Sequence, residues 1–217
     1  MKLLLLLAAA FAPLSAAGTI AISSDGSTAY FQESPKPSGS VRSLGQTFTV
    51  PSPTGENVLS SFAFHFASGT DKTFDYRAMI FEWDTVNARA TGTALFSSAI
   101  LNGSQAPNFT GVDLILNPSL TYVALLTTQG VNNDDFANGL LELNSVNVYA
   151  GGGAHSQTST AANGTSGDGD WTASAWSEVN GSTDFRFDAT FVGTPEPATW
   201  ALLGVGLTAL GLLRRPQ

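Results

Sequence analysis

Apolar and polar side chains alternate through the middle of this 217-residue chain, and this period of two constrains the fold more than any other feature. In the segment SFAFHFAS, the side chains of Phe62, Phe64 and Phe66 share one face of an extended strand. In TFDYRAMIFEW the face that carries Phe74 is apolar as far as Ile80, and the other begins polar and turns apolar at Met79 and Phe81. The segment TDFRFDATFV repeats the alternation. These patterns predict half-buried antiparallel strands.

Further short strands are expected between turn signals such as Ser-Pro, Asn-Gly and Asn-Pro. About nine strands in one domain predict an all-β fold, an antiparallel two-sheet sandwich of jelly-roll type. The stretch AGGGAHSQTSTAANGTSGDGD, residues 150–170, is predicted to be a long loop because it offers little to bury. Besides the three segments above, strands are predicted near residues 29–32, 44–50, 93–97, 112–116, 120–127 and 146–149.

The N-terminal segment MKLLLLLAAAFAPLSAAG has the organisation of a secretory signal peptide. Lys2 precedes an apolar run, and the small residues Ser15 and Ala17 occupy the −3 and −1 positions of a cleavage site after Ala17. Residues 1–17 are therefore predicted to form a signal helix that is removed on export. The β-sandwich domain is expected over residues 18–193.

The C-terminal segment TPEPATWALLGVGLTALGLLRRPQ combines a Pro-Glu-Pro turn, an apolar stretch and an arginine pair. Residues 198–213 carry no charge and predict a transmembrane helix of about 24 Å. That length is short for a hydrocarbon core of about 30 Å, which suits a temporary halt better than a permanent anchor. The basic tail, residues 214–217, would stay in the cytoplasm.

This terminal segment resembles the PEP-CTERM sorting signal of Gram-negative bacteria, although Thr194 stands where valine is commonest. The resemblance implies processing by a membrane-embedded exosortase near the Pro-Glu-Pro motif, and association with exopolysaccharide, biofilm or floc. The family is also noted for few cysteines and many Asn-x-Ser/Thr triplets. This chain has no cysteine, and its triplets begin at Asn102, Asn108, Asn163 and Asn180. The sorting residues implied by the resemblance are Pro195, Glu196, Pro197, Arg214 and Arg215.

Three segments of the body resemble a domain that recurs in secreted PEP-CTERM proteins. They are the GQTF strand at residues 45–48, the strand at residues 76–84 and the RATG turn at residues 89–96. This looser resemblance implies a common fold and no particular activity.

Tryptophan side chains are the candidates for sugar binding, because a flat ring can cover the apolar face of a pyranose. Trp83 ends a predicted strand, and Trp171 and Trp176 follow the glycine-rich stretch. The alternative is that these rings fill the core or close the ends of the sandwich.

Calcium is a second candidate ligand, since loop carboxylates and amides supply the oxygen atoms that it prefers. The segments NNDD and DGDW offer such oxygens, although neither completes an EF-hand loop. The alternative is solvated acidic loops, and no other cofactor is expected. The candidate ligands are Asp134, Asp135, Asp168 and Asp170.

Catalytic motifs of the common hydrolases and phosphate-binding enzymes are absent from the sequence. The only histidines are His65 and His155, and neither has a motif partner. Glu82 and Asp84 share one face of a strand, whereas glycosidases usually recruit carboxylates from different strands. The sequence therefore favours a protein that is not an enzyme.

Acidic side chains outnumber basic ones in the body, with 16 against 6 in residues 18–194. This balance disfavours nucleic acid as a partner. The first hypothesis is an exported protein that passes through the inner membrane. Its destination would be the cell surface, the outer membrane or the extracellular matrix. The alternatives are a secreted glycan-active hydrolase, distinguished by carboxylates that converge in a cleft beside Trp83, and an unprocessed single-pass membrane-anchored binding protein.

Overall fold

Antiparallel strands provide nearly all of the regular structure in the described part of the chain, as the alternation predicts. A computed structural model describes residues 18–33, 41–51, 57–70, 74–128, 131, 137–159, 170–181 and 183–193. In chain order its elements are β1 (Gly18–Ile22), β2 (Ser27–Glu33), β3 (Val41–Thr49), β4 (Val58–Phe64), β5 (Asp75–Asp84), β6 (Arg89–Ser97), β7 (Leu101–Asn102), β8 (Asn108–Ile115), β9 (Thr121–Thr127), β10 (Ala137–Asn144), β11 (Ala154–Ser159), α1 (Asp170–Ala173), β12 (Ser177–Glu178), β13 (Asp184–Phe185) and β14 (Phe187–Val192).

Two sheets face each other across one apolar core. The front sheet has the order β12-β11-β3-β9-β5-β6, with the short β7 also paired to β5. The back sheet has the order β1-β14-β4-β8, and a small end sheet has the order β13-β10-β2. Every ladder is antiparallel, so an all-β antiparallel fold is confirmed.

The main core lies between the front and back sheets and is filled by the predicted apolar faces. Phe62 and Phe64 of β4 are buried, and Phe66 packs against them from the end of the strand. Aromatic pairs link the two sheets, with the ring of Phe48 in β3 lying 5.8 Å from that of Phe187 and 6.2 Å from that of Phe191 in β14. Tilted pairs at these distances add to the stabilisation from burial.

A second apolar cluster covers the other face of the front sheet. The side chains of Met79 and Phe81 point away from the main core, where the sequence of β5 turns apolar. Residues 170–176 lie over them, and Trp171 Nε1 donates a hydrogen bond to Ser43 Oγ at 3.0 Å. The central strands are therefore buried on both faces. We call this the outer cluster, and it comprises Met79, Phe81, Trp83, Ala90, Val123, Leu125, Trp171 and Trp176.

The prediction of a long loop over residues 150–170 was wrong for part of that stretch. Its residues 154–159 form β11, which pairs with β3 on one side and with β12 on the other. Tertiary pairing overrides the weak strand preference of this sequence. A strand predicted at residues 146–149 was also wrong, because those residues form a loop.

Asp184 departs from the alternation of the last strands. The pattern placed it on a polar face, but its side chain is 0% exposed. Gln46 Nε2 donates to Asp184 Oδ1 at 2.9 Å, and the backbone N–H groups of Val148 and Tyr149 donate to Oδ2 at 2.8 Å. Three donors thus compensate the burial of this carboxylate.

The predicted membrane segments cannot be compared with the structure. Residues 1–17 and 198–213 lie outside the described residues, so the signal helix and the transmembrane helix stay predictions. Within the described part of the chain, no helix reaches the length and apolar character that a membrane crossing requires.

The loop between β10 and β11 depends on a close approach between backbones at residues 150–153. A Cβ atom on Gly152 would lie 1.8 Å from the carbonyl oxygen of Thr47, whereas one on Gly153 would meet nothing nearer than 3.7 Å. Thr47 N also donates to the carbonyl oxygen of Gly153 at 2.9 Å. The loop and β3 are therefore in direct backbone contact.

We predict opposite outcomes for alanine at two neighbouring glycines. Gly152→Ala should lower the free energy of unfolding by about 1–3 kcal/mol, because the loop must move away from Thr47. Gly153→Ala, the matched control, should change it by less than about 1 kcal/mol. Urea unfolding followed by tryptophan fluorescence measures both values. Equal stability of the two variants would contradict this packing.

Candidate functional site

A polar cleft opens on the outer face of the front sheet, beside the outer cluster. Its volume is about 530 Å³, within the range of small-molecule sites. One wall belongs to the loop of residues 145–153 and is lined by Asn147 and residues 150–153, and the other includes Thr85 and Ala88 from the β5–β6 turn. Between the walls lie strand residues, namely Thr47 and Thr49 of β3, Thr121 of β9, Trp83 of β5, His155 of β11 and Glu178 of β12.

Two threonines sit side by side among these strand residues. Thr49 and Thr121 are directly opposite each other in the β3–β9 ladder, and both are half-buried. Their hydroxyl groups make no hydrogen bond to any described residue, unlike Thr47, whose Oγ1 donates to the carbonyl oxygen of Gly153 at 3.1 Å. The cleft thus offers adjacent hydroxyl groups that have no partner within the described protein.

The loop wall is held by hydrogen bonds at several points. Asp184 accepts from Val148 and Tyr149, as described above, and Tyr149 Oη donates to the carbonyl oxygen of Thr49 at 3.2 Å. The N–H of Gly153 donates to Thr47 Oγ1 at 2.8 Å. These bonds hold the loop against the C-terminal end of β3, so this wall of the cleft is preformed.

The opposite wall is a tight turn closed by Asp84. Asp84 Oδ1 accepts hydrogen bonds from the N–H groups of Val86 and Asn87, each at 3.0 Å. These bonds, with the Asn87 side-chain amide as the largest contributor, hold the pKa of Asp84 below its ordinary value. Ala88 adopts a positive φ of 46°, and its carbonyl oxygen accepts from the N–H of Trp176 at 2.7 Å. Asp84 therefore stabilises the turn.

Trp83 and His155 meet at the inner side of the cleft. Their ring centroids are 4.7 Å apart, and Trp83 also forms a T-shaped contact with Trp176 at 5.8 Å. His155 Nδ1 is buried and has no hydrogen-bond partner among the described residues. Burial lowers the pKa of His155 below its ordinary value of 6.5, although the nearby Glu178 carboxylate acts in the opposite direction. The imidazole is therefore neutral at pH 7.

The structure separates the three candidate tryptophans. Trp171 and Trp176 are only 3% and 4% exposed, lie within the outer cluster and do not line the cleft. Trp83 lines the cleft, but it is only 8% exposed. All three rings belong to the outer cluster, which agrees with the alternative that they fill the core or close the ends of the sandwich. Sugar binding by these tryptophans stays a prediction.

Most of the other candidate residues lie outside the described part of the chain. This applies to the sorting residues Pro195, Glu196, Pro197, Arg214 and Arg215, and to the calcium candidates Asp134, Asp135 and Asp168. Asp170 is the first residue of α1, and its side chain is not described. Among the described residues, no group of three or more His, Asp or Glu side chains is arranged to hold a metal ion.

A second cleft, of about 510 Å³, lies between the β1–β2 turn and the start of the last strands. Its charged groups already have partners. Arg186 Nη1 donates to Glu142 Oε2 at 2.7 Å, and His65 Nε2 lies 2.6 Å from Asp188 Oδ2. The three charged side chains that line this cleft are therefore already engaged, in one ion pair and one hydrogen bond.

Sequence reasoning missed most of the first cleft. His155 was placed in a flexible loop, and the threonines had no motif to mark them. The one available signal was GQTF, in which Gly45 allows close packing against Val123, Gln46 holds Asp184 and Thr47 holds Gly153. That segment indicated the strand and gave no indication of a cleft.

Comparison with known proteins identifies the C-terminal segment. Residues 194–215 match the PEP-CTERM protein-sorting motif, which confirms the resemblance. The motif indicates an exported, surface-targeted protein and implies processing by an exosortase. No curated protein matches the chain.

Among solved structures, the chain is similar to the cysteine protease and lectin-like domains of Cwp84, a surface layer associated protein of Clostridium difficile. The sequence identity is 12% and the TM-score is 0.44. The match covers 78% of this chain and 37% of that one. A similarity of this degree does not bear on activity.

We predict that His155 makes the folded state sensitive to mild acid. Below about pH 6.5 the unfolded chain protonates this side chain more fully than the folded chain does, because burial lowers the pKa of His155, so the free energy of unfolding should fall as the pH falls. In the variant His155→Gln, the part of this decrease in stability that comes from His155 should be absent. Urea midpoints measured from about pH 7.5 to about pH 5 test the difference.

His65→Gln is the matched control, because it removes the other histidine and leaves His155 buried. It should keep the acid sensitivity that His155 produces. If His155→Gln loses as much stability as the wild type over the same pH range, His155 is not the source of the acid sensitivity.

Proposed function

We propose that this protein is delivered to the cell surface or extracellular matrix of a Gram-negative bacterium and acts there without catalysis, in association with exopolysaccharide. The observation that carries the proposal is the sorting motif at residues 194–215. Such a motif determines where a protein is sent and does not itself act on a substrate. The activity is therefore sought in the β-sandwich body.

The route would use both ends of the chain in turn. Residues 1–17 would direct export, and the apolar residues 198–213 would halt the chain in the inner membrane with Arg214 and Arg215 on the cytoplasmic side. An exosortase would then remove the apolar segment near Pro195-Glu196-Pro197. The mature protein would leave the inner membrane for the outer membrane, cell surface or matrix.

The body would be a jelly roll with added strands. The back-sheet order β1-β14-β4-β8 and the front-sheet order β3-β9-β5-β6 distribute eight strands over two sheets with long crossovers between them. Strand β11 and the short β12 extend the front sheet beyond β3. This extension supplies one side of the cleft, so the addition to the jelly roll is also the part that builds the site.

A binding role is favoured over hydrolysis by the composition of the cleft. Glycosidases flank the scissile bond with two carboxyl groups. Glu178 is the one carboxylate among the described residues that line the cleft. Glu82 is not among those lining residues, and Asp84 is engaged in its turn. A secreted glycan-active hydrolase remains the second candidate, since it would also use a cleft beside Trp83.

Loss of the C-terminal segment is the first testable consequence. The protein isolated from the cell surface should have an intact mass that lacks Trp200 to Gln217. Replacement of Pro195, Glu196 and Pro197 together by alanine should leave the full-length chain in the membrane fraction. Mass spectrometry of the surface and membrane fractions measures both outcomes.

Gln217→Ala is the matched control, because it changes the same tail outside the matched residues 194–215. It should be processed like the wild type. A surface form that still contains Trp200 to Gln217 would contradict sorting and favour an unprocessed membrane-anchored protein.

A further inference from the structure

The cleft beside Trp83 contains polar groups that the described protein does not use. The hydroxyls of Thr49, Thr85 and Thr121, the amide of Asn147 and the carboxylate of Glu178 make no hydrogen bond to any described residue. In the second cleft, by contrast, each charged side chain has a partner, because Arg186 pairs with Glu142 and Asp188 lies 2.6 Å from His65 Nε2. Unpaired donors and acceptors that converge on one preformed cleft are the usual mark of a ligand site.

The charge of the cleft restricts the ligand. No lysine or arginine is among the described residues that line it, and Glu178 contributes one negative charge. Phosphorylated, sulfated or carboxylated ligands would therefore meet repulsion and no compensating cation. Hydroxyl and amide groups suit a ligand that is itself rich in hydroxyls and carries no charge.

The inner side of the cleft adds one apolar surface. Trp83 contacts both Trp176 and His155, and its small exposed part borders the cleft. The indole cannot provide a full stacking platform, because it is only 8% exposed. Recognition would then come mainly from hydrogen bonds, with the indole edge against the C–H groups of the ligand.

From these observations we infer that the cleft is a binding site for one or two units of a neutral saccharide. Thr49 and Thr121 contact the ligand from the strands, Asn147 contacts it from the loop, and the edge of Trp83 closes the inner side. This inference rests on the proposed association with exopolysaccharide and assigns the sugar-binding role to named side chains. The wall fixed by Asp184 and Gly153 limits the ordering needed on binding.

The test uses the full-length protein and a defined panel of neutral sugars. Glucose, galactose, mannose, N-acetylglucosamine and their β-linked disaccharides are titrated by calorimetry and by tryptophan fluorescence, with and without calcium. Glucuronic acid serves as the anionic comparison. The wild type should bind at least one neutral saccharide and should bind glucuronic acid more weakly or not at all.

The double variant Thr49→Val, Thr121→Val removes both hydroxyls and preserves the size and branching of the side chains. Loss of two hydrogen bonds should weaken binding about tenfold. Thr19→Val is the matched control, because Thr19 is an exposed strand residue of the back sheet. It should bind like the wild type. Circular dichroism and thermal melting verify that both variants are folded.

Three results would overturn the inference: no binding to any neutral saccharide, stronger binding to glucuronic acid, or unchanged binding by the double variant. Co-sedimentation of the wild type with extracellular polysaccharide tests the proposed function separately. If the wild type co-sediments and the double variant co-sediments equally, the cleft assignment fails while the proposed function stands. If the wild type binds a free saccharide but does not co-sediment, the proposed association fails.

Discussion

The buried carboxylate of Asp184 joins the parts of this structure that would otherwise be independent. It lies at the start of β13, accepts a hydrogen bond from Gln46 of the front sheet and accepts two from the loop that walls the cleft. Gln46 Oε1 in turn accepts from the N–H of Phe185 at 2.8 Å. A carboxylate buried without these donors would be costly, so the sheets and the loop must assemble together.

The front sheet has a different structural role on each face. Its inner face completes the main core with the back sheet, where alternating apolar residues provide the hydrophobic stabilisation. Its outer face is covered at one end by residues 170–176 and open at the other end as the cleft. Trp83 lies at the boundary, in contact with Trp176 and with His155. Packing of the outer cluster thus sets the position of the inner side of the cleft.

The alternation of apolar residues was sufficient to predict the core strands β4, β5 and β14, because burial on a pleated strand has a period of two. It could not predict β11, whose small and polar residues form a strand only through pairing with β3. It also placed Asp184 on a polar face, because the donors that compensate its burial come from residues far away in the sequence. The sorting motif was predictable because it is contiguous, whereas the cleft is assembled from six separate segments.

The long sequence separations within the cleft bear on the timing of its formation. Its lining residues run from Thr47 to Thr183, and the contact between Thr49 and Tyr149 closes a separation of 100 residues. A polypeptide that emerges N-terminus first cannot complete this cleft until nearly the whole body is available. The cleft is therefore among the last features of the body to form, because it waits for Glu178 and Thr183 near the C-terminal end of the described residues.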